Sequence, residues 1–297
     1  MDYFFLIASV SLGTATSLIS RIVKKGTRRL CETSATNTVN FFIAFLTIFL
    51  LGLLSQKGNF FSGLHAVNWF LAIAYGACLL LAQFFFLLAL GRGPVSISTL
   101  FYACGFILPT LYGVVRFNEP IRPTQIVGLV LIILSFILST SLKKDGKKAD
   151  FLWLVFVLCA LLFSGGIGIV QKEYAFENAC PVDNFLFVAV AFTCLFSLLL
   201  TIALFIKDRR NGIPRDKTNL KSVFYSSLLL GAVMGTANKL NTYLAGVFTS
   251  VITFPVVNGG RILLTTVLGA ILFREKTNLR QKIGILCGFI AIVLIAI

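Results

Sequence analysis

Long apolar runs alternate with short polar stretches along the whole chain, and within the runs apolar and polar residues do not alternate with period two. Ten runs stand out, at 3–23, 35–54, 67–90, 95–117, 123–142, 151–174, 182–206, 222–244, 248–273 and 279–297. Each is close to the roughly 20 residues that a helix needs to cross the hydrocarbon core of a bilayer. Inside lipid every backbone N–H and C=O needs an internal partner, so the spanning structures are helices or a closed barrel. A barrel would show short alternating segments, which are absent here. The pattern therefore predicts an all-α integral membrane protein of ten transmembrane helices. Gly91-Arg92-Gly93-Pro94 makes a tight turn between spans 3 and 4, and Pro123 suits the first turn of span 5. Lys143-Lys144-Asp145-Gly146-Lys147-Lys148 stands at mid-chain and reads as a linker.

The polar punctuation repeats. Phe117-Asn118-Glu119, Gln125 and Gly128 recur as Phe273-Arg274-Glu275, Gln281 and Gly284, all 156 residues on, and Gly113 recurs as Gly269. Upstream the offset is 155: Gly76-Ala77 recurs as Gly231-Ala232, Ala82-Gln83 as Ala237-Asn238, and Gly91 as Gly246. A fixed offset of half the chain marks a duplication. The expected organisation is a first five-helix repeat at 1–142, a charged linker at 143–150 and a second repeat at 151–297. Five is odd, so the second copy must insert upside down, as an inverted repeat.

Composition agrees. Of 297 residues, 58% are hydrophobic and only 12% charged, about half the globular share of roughly 25%. The mean hydropathy is +0.94. A soluble fold could not hide that much apolar side chain. The net charge of +15 does not point to nucleic acid, because the basic residues sit in the loops, where they orient a membrane protein. Counted with the basic residues at the adjoining span ends, the loops joining spans 1–2, 3–4, 5–6, 7–8 and 9–10 hold 20 Lys/Arg and the opposite side holds 4. Positive residues stay inside, so both termini are expected outside the cytoplasm of a multi-pass cell (plasma or inner) membrane protein. The N-terminus lacks a basic region before its first run and reads as a retained span. The seven cysteines show no metal or redox spacing. No phosphate-binding glycine loop or metalloprotease motif occurs. No catalytic residue, cofactor or metal is expected.

Two charges fall inside spans: Lys239 in span 8 and Arg261 in span 9. An ionised side chain at the bilayer centre costs about 2.5–3.5 kcal/mol on insertion scales. Asn238, Asn241 and Thr242 accompany Lys239, and Asn258 and Thr265 share a helix face with Arg261. No carboxylate lies at matching depth in the sequence, because Glu119, Glu173 and Glu275 stand at span ends. Two cations with no carboxylate at their depth in the sequence predict a cavity for a ligand with a negative group, which arginine can hold in a fork. By offset, Lys239 and Arg261 correspond to Phe84 and Gly105, and Asn238 and Asn258 to Gln83 and Tyr102. Tyr75, Gln83, Tyr102 and Tyr112 are expected on the uncharged wall. Glu119 and Glu275 are expected to close turns near the N-termini of spans 5 and 10, where the helix dipole favours a carboxylate. Pro109 and Pro255 are candidate kinks.

The motif Pro109…Gly113…Phe117-x-Glu119…Gln125…Gly128, its second copy Gly269…Phe273-x-Glu275…Gln281…Gly284 and the two five-span halves resemble the EamA-type transporters of the drug/metabolite transporter superfamily. The resemblance implies ten helices around a central cavity lined by spans 3, 4, 8 and 9 with 1 and 6. It also implies alternating access and ATP-independent movement of metabolites, amino acids or drugs. Joined to the two cations, it leads to the expectation of a secondary transporter for a small anionic or zwitterionic metabolite such as an amino acid, and not an enzyme. Its partners would be that substrate, the lipid bilayer, a coupling proton or ion and, as an open case, a second copy in a homodimer. A translocator of lipids or lipid carriers, a small-multidrug-type exporter and a non-transporting membrane subunit are the other readings. The small multidrug relatives carry an acidic residue within span 1, where this chain has none beyond Asp2.

Overall fold

The structure, a computed structural model, describes residues 1–24, 30–56, 59–93, 95–139, 150–177, 180–211, 220–272 and 278–297. Phe273, Arg274, Glu275 and, apart from Asp150, the expected linker lie outside the described residues. The helices are α1 (Asp2–Lys24), α2 (Leu30–Gln56), α3 (Ala66–Arg92), α4 (Val95–Ala103), α5 (Ile107–Phe117), α6 (Pro123–Ser139), α7 (Phe151–Glu177), α8 (Val182–Arg210), α9 (Leu220–Val247), α10 (Ser250–Leu272) and α11 (Leu279–Ala296). A 3₁₀ turn, Cys104–Phe106, joins α4 to α5, and the three together form the fourth span. Eight spans among the described residues are long and apolar enough to cross a membrane. With α6 (17 residues) and α9 (28 residues) they make ten. The fold is all-α, a multi-pass membrane protein of two inverted five-helix repeats. Several helices outrun the apolar runs that predict them, as α2 does from Leu30 to Gln56. Intrahelical bonding continues through polar turns, where hydropathy has already fallen.

The chain forms two compact units. One comprises Met1–Thr14, Leu81–Phe176 and Asn241–Ile297, the other Ala15–Leu80 and Glu177–Leu240. In the first unit α6 and α11, the fifth helix of each repeat, pack antiparallel. Gln125 Nε2 donates to the Ile295 carbonyl at 3.3 Å and Gln281 Nε2 to the Ser139 carbonyl at 3.4 Å. Ser139 and Ile295 are themselves 156 residues apart, so the two bonds are copies of each other. Each glutamine also caps its own helix: Gln125 Oε1 accepts the Arg122 N–H and Gln281 Oε1 the Asn278 N–H, both at 3.0 Å. The repeated amide thus closes a helix N-terminus and crosses to the end of the other helix. Gly128 and Gly284 allow the approach. A Cβ on Gly128 would lie 2.9 Å from the Ala291 carbonyl oxygen, and one on Gly284 2.7 Å from the Ser139 nitrogen.

In the second unit α2 and α8, the second helix of each repeat, are also antiparallel. Their seam is a hydroxyl cluster: Ser34 with Thr201 at 2.8 Å, Thr38 with Ser197 at 2.8 Å and Thr38 with Thr201 at 3.0 Å. Hydroxyls and small residues hold helices together where lipid supplies no hydrophobic drive between them. The repeated glycines Gly76 and Gly231 make matching close contacts. A Cβ on the first would meet the α8 backbone at Thr193 N (3.0 Å), and one on the second the α2 backbone at Asn40 O (2.6 Å). Related helices packing head to tail within each unit are what opposite insertion produces.

The shift in offset from 155 to 156 falls in the fourth span. Helix α4 starts at Val95 and α10 at Ser250, 155 apart, whereas Phe117 and Phe273 are 156 apart. Pro109 has no N–H for the Gly105 carbonyl, and the chain tightens into the 3₁₀ turn just there.

The α6–α11 contact predicts that Gly128→Leu costs about 1–3 kcal/mol through overpacking. Gly91, where an added Cβ would meet nothing within 4 Å, should tolerate Ala within about 0.5 kcal/mol. Thermal unfolding in detergent compares the two; equal midpoints would refute the packing role of Gly128.

Candidate functional site

Arg261 lies eleven residues from each end of α10, about 16 Å along the axis, too deep for its guanidinium to reach either membrane surface. It is partly accessible. Its stem runs beside Gly13 of α1, where a Cβ would come within 3.0 Å of Arg261 Cδ. The Thr14 hydroxyl, which also bonds the Val10 carbonyl at 2.8 Å, lies 3.5 Å from the Arg261 carbonyl oxygen. Tyr102 of α4 interacts electrostatically with Arg261. The phenol ring packs on Phe86 with centroids 4.6 Å apart, and the Tyr102 carbonyl accepts the Ser164 hydroxyl at 3.4 Å. One turn from Arg261, Asn258 spends its amide N–H on the Phe254 carbonyl at 3.0 Å, which leaves its oxygen side for other partners. The Thr265 hydroxyl, one turn the other way, is buried with no hydrogen-bond partner among the described residues.

Other sequence-derived candidates in this unit are Asn241, Gln83 and Tyr112. Asn241 Oδ1 accepts a hydrogen bond from Ser9 of α1, and its neighbour Thr242 receives one from Gln171 Nε2 of α7 at 3.1 Å. Gln83 is half-buried on α3. Tyr112 donates to Glu173 at the end of α7. Polar side chains left half-accessible in mid-span either face lipid, at the cost of stripping them of water, or face a hydrated space. Arg261, Asn258 and Tyr102 are such side chains, and a guanidinium fork, a phenol and an amide are groups that can hold a carboxylate.

Lys239, Asn238 and Tyr75 belong to the second unit, because the boundary in α9 falls between Leu240 and Asn241. Lys239 corrects the expectation of a cation without a carboxylate. Its Nζ lies 2.6 Å from Asp183 Oδ1. Asp183 sits in the first turn of α8, and Ser55 at the end of α2 donates to its other oxygen. The sequence reading missed this pair because Asp183 opens a span whereas Lys239 lies inside one. Lys239 is eight residues from the end of α9, about 12 Å, and its stem covers part of that distance. Tyr75 is fully buried and packs edge-on against Phe185, as a packing residue would. Asn238 is half-buried beside Lys239.

Glu119, the repeated carboxylate, also departs from expectation. Asn118 takes a left-handed conformation (φ 50°) that ends α5 and turns the next residue away from α6. Asparagine tolerates that conformation better than most residues. Glu119 Oε2 then accepts the Ser250 N–H at 2.6 Å, so it caps α10 and not α6. Gly113 leaves the room: a Cβ there would collide with Ser250 and come within 2.7 Å of Glu119 Oε2. Glu119 Oε1 pairs with Lys172 at 2.6 Å. Lys172, which the charge count places with the loop joining spans 6 and 7, is a largely covered residue of α7. Its ammonium also donates to the Ala245 and Phe248 carbonyls at 3.1 Å, the open end of α9. One lysine and one glutamate thus satisfy the end of α9 and the start of α10 together. The signal for it was present: Lys172 lies inside the run 151–174.

A sequence model of the family described as "EamA-like transporter family" matches residues 1–141 and 151–297. A solved structure described as "Crystal structure of protein" is similar over 99% of this chain and 95% of its own, with a TM-score of 0.78 and 14% sequence identity. At that identity the likeness shows the fold alone. No curated protein matches the chain.

The Glu119–Lys172 pair is nearly buried on both sides (10% and 12% exposed), so removing one partner strands the other charge. Lys172→Met should cost about 3–5 kcal/mol. Adding Glu119→Gln should restore a substantial part of it. A double-mutant cycle on chemical unfolding in micelles measures this; additive losses would show that the two residues act separately.

Proposed function

We propose a function from one premise: the chain belongs to the EamA-like transporter family. It is a secondary transporter that moves a small anionic or zwitterionic metabolite, such as an amino acid, across the cell membrane by alternating access, with no catalytic chemistry of its own. Arg261 carries this reading, as a partly accessible arginine at the middle of α10 within electrostatic reach of Tyr102. A cation at that depth is retained against about 2.5–3.5 kcal/mol, which a ligand carboxylate offsets each time it binds. Arg261, Tyr102, Asn258, Asn241 and Gln83 form the proposed substrate site. Gly13 and Thr265 join them, the first by giving the arginine stem room and the second by its buried hydroxyl. Lys239 and Asn238 are proposed as anion-binding residues of the second unit. Tyr75, buried against Phe185, is proposed only as the packing that positions α8.

The loop charges support an orientation with both termini outside, since 20 Lys/Arg lie on one side and 4 on the other. The contacts of Asp2 weigh against a small-multidrug-type exporter. It lies at the very end of α1 and accepts a hydrogen bond from Tyr243 at 3.3 Å, a place and a partner unsuited to binding a cationic drug in mid-span.

Proteoliposomes containing the full chain should accumulate members of a radiolabelled pool of protein amino acids and small carboxylates. Arg261→Ala should lower that uptake at least tenfold, as loss of a charge-assisted bond worth about 1.5–3 kcal/mol requires, while the variant elutes and melts as the parent does. Undiminished uptake in Arg261→Ala would remove the site assignment. Movement of fluorescent phospholipid in place of the pool would favour the lipid translocator.

A further inference from the structure

The second compact unit contains an ionic cluster of which the proposed transport reading uses only Lys239. Asp183 is 6% exposed and its partner Lys239 is 29% exposed. The Asp183 side chain is thus nearly sealed in, whereas part of the Lys239 side chain is accessible. Asp183 Oδ1 faces Lys239 Nζ at 2.6 Å, and Ser55 Oγ holds Oδ2. A serine hydroxyl donates to a carboxylate and accepts from a carboxylic acid, so the side chain keeps its place whether or not it bears a proton. The next residue, Asn184, fastens the α2–α3 loop through its amide, which donates to the Asn59 and Ser62 carbonyls at 3.1 and 3.0 Å. This anchors the first turn of α8. Other titratable groups nearby are few among the described residues. His65, on the same loop, is exposed. Tyr75 of α3 packs on Phe185, two residues along from Asp183. The charge that meets Asp183 is Lys239.

We propose that Asp183 and Lys239 form the proton-coupling pair of this transporter: an anionic ligand that reaches the Lys239 ammonium draws it off Asp183, and Asp183 then takes up a proton. The inference rests on the reading that the chain moves an anionic metabolite. A buried carboxylate is stable as an anion only while its cation is present. Once Lys239 turns to a ligand, the same burial favours the acid form. One O–H bond forms at an Asp183 oxygen as one O–H bond of a hydronium ion in bulk water breaks, and nothing is oxidised or reduced. Linkage is reciprocal, so whatever promotes protonation of Asp183 also strengthens anion binding at Lys239. The anion and the proton then travel together, one for one. The partial exposure of Lys239 carries the argument: the ligand needs access to the ammonium, whereas the proton needs only the aspartate.

Two measurements test this, one of them without any ligand. Infrared difference spectroscopy on the full-length protein at neutral pH should show a carboxylic acid C=O stretch in Lys239→Gln. That band should be absent from the parent and from Lys239→Gln/Asp183→Asn. If Lys239→Gln shows no such band, Asp183 is not a proton site and the proposal falls. The second measurement adds the pool of protein amino acids and small carboxylates to the parent in weakly buffered detergent with a pH-sensitive dye. One proton should be taken up per anion bound, and Asp183→Asn should bind without uptake. Binding by the parent without proton uptake overturns the coupling, as does uptake that survives in Asp183→Asn. If the parent binds nothing from the pool, the anionic-substrate reading is what fails, and the infrared band still decides the protonation of Asp183. If Lys239→Gln does not fold, the dye measurement on Asp183→Asn decides the proposal.

Discussion

Polar groups taken into a bilayer must find their partners inside the protein, because lipid offers none. In this chain that constraint reaches beyond the backbone ladders of the helices to the places where the ladders stop. The short connection between α9 and α10 leaves carbonyls at one end and N–H groups at the other. Lys172 takes the carbonyls of Ala245 and Phe248, and Glu119 takes the Ser250 N–H. Because the two side chains also pair with each other, neither charge is left alone at low dielectric. The left-handed Asn118 and the missing side chain at Gly113 follow from this arrangement, the one turning Glu119 toward α10 and the other making space for it. Asp183 and Lys239 meet the same requirement in the second unit, with Ser55 as the third partner.

Duplication makes some of these solutions appear twice. Gln125 and Gln281 each cap one helix and reach the far end of the other, so a single amide in the ancestral half served both purposes once two copies met head to tail. Such residues recur at a fixed offset because both halves need them. The sites where charge enters a span have no such counterpart. Arg261 and Lys239 stand where the other half has an uncharged residue, and their partners come from elsewhere: Gly13 and Tyr102 for the one, Asp183 for the other. The repeated residues belong to the scaffold, and the residues that break the repeat carry the chemistry proposed for it.

Much of the fold was legible because its governing terms are local. Ten apolar runs, the loop charges and the 155–156 offset each follow from burial or insertion of a short stretch, and the helices stand where those runs are. The antiparallel pairing of fifth helices could be anticipated from the odd number of spans, but the hydroxyl seam between α2 and α8 could not. Ser34, Thr38, Ser197 and Thr201 have no fixed spacing across the halves, and each taken alone is an ordinary small residue in a span. The candidate site was legible only in part. Arg261 announces itself, since a cation eleven residues from either helix end has few explanations. Tyr102 could be named as its neighbour through the repeat. Asp183 and Lys172 were not assigned, because reading depth from an apolar run places a residue along one helix and says nothing about which side chain of another helix reaches it.

The same limit bears on how charge should be read in such proteins. A lysine within a span and a carboxylate at a span end look unmatched when each is placed by its own helix. A lysine stem removes much of that difference in depth, as Lys239 does in meeting Asp183 and as Lys172 does in meeting Glu119. Arginine at the centre of a helix is another matter, since no stem bridges 16 Å. Of the charges within spans, Arg261 is therefore the one whose position alone calls for a polar partner in mid-membrane. Lys172 and Lys239 divide by exposure. The pair with both members largely covered closes the ends of helices, whereas the pair with a partly exposed lysine and a nearly sealed aspartate has the asymmetry that coupling a ligand to a proton requires.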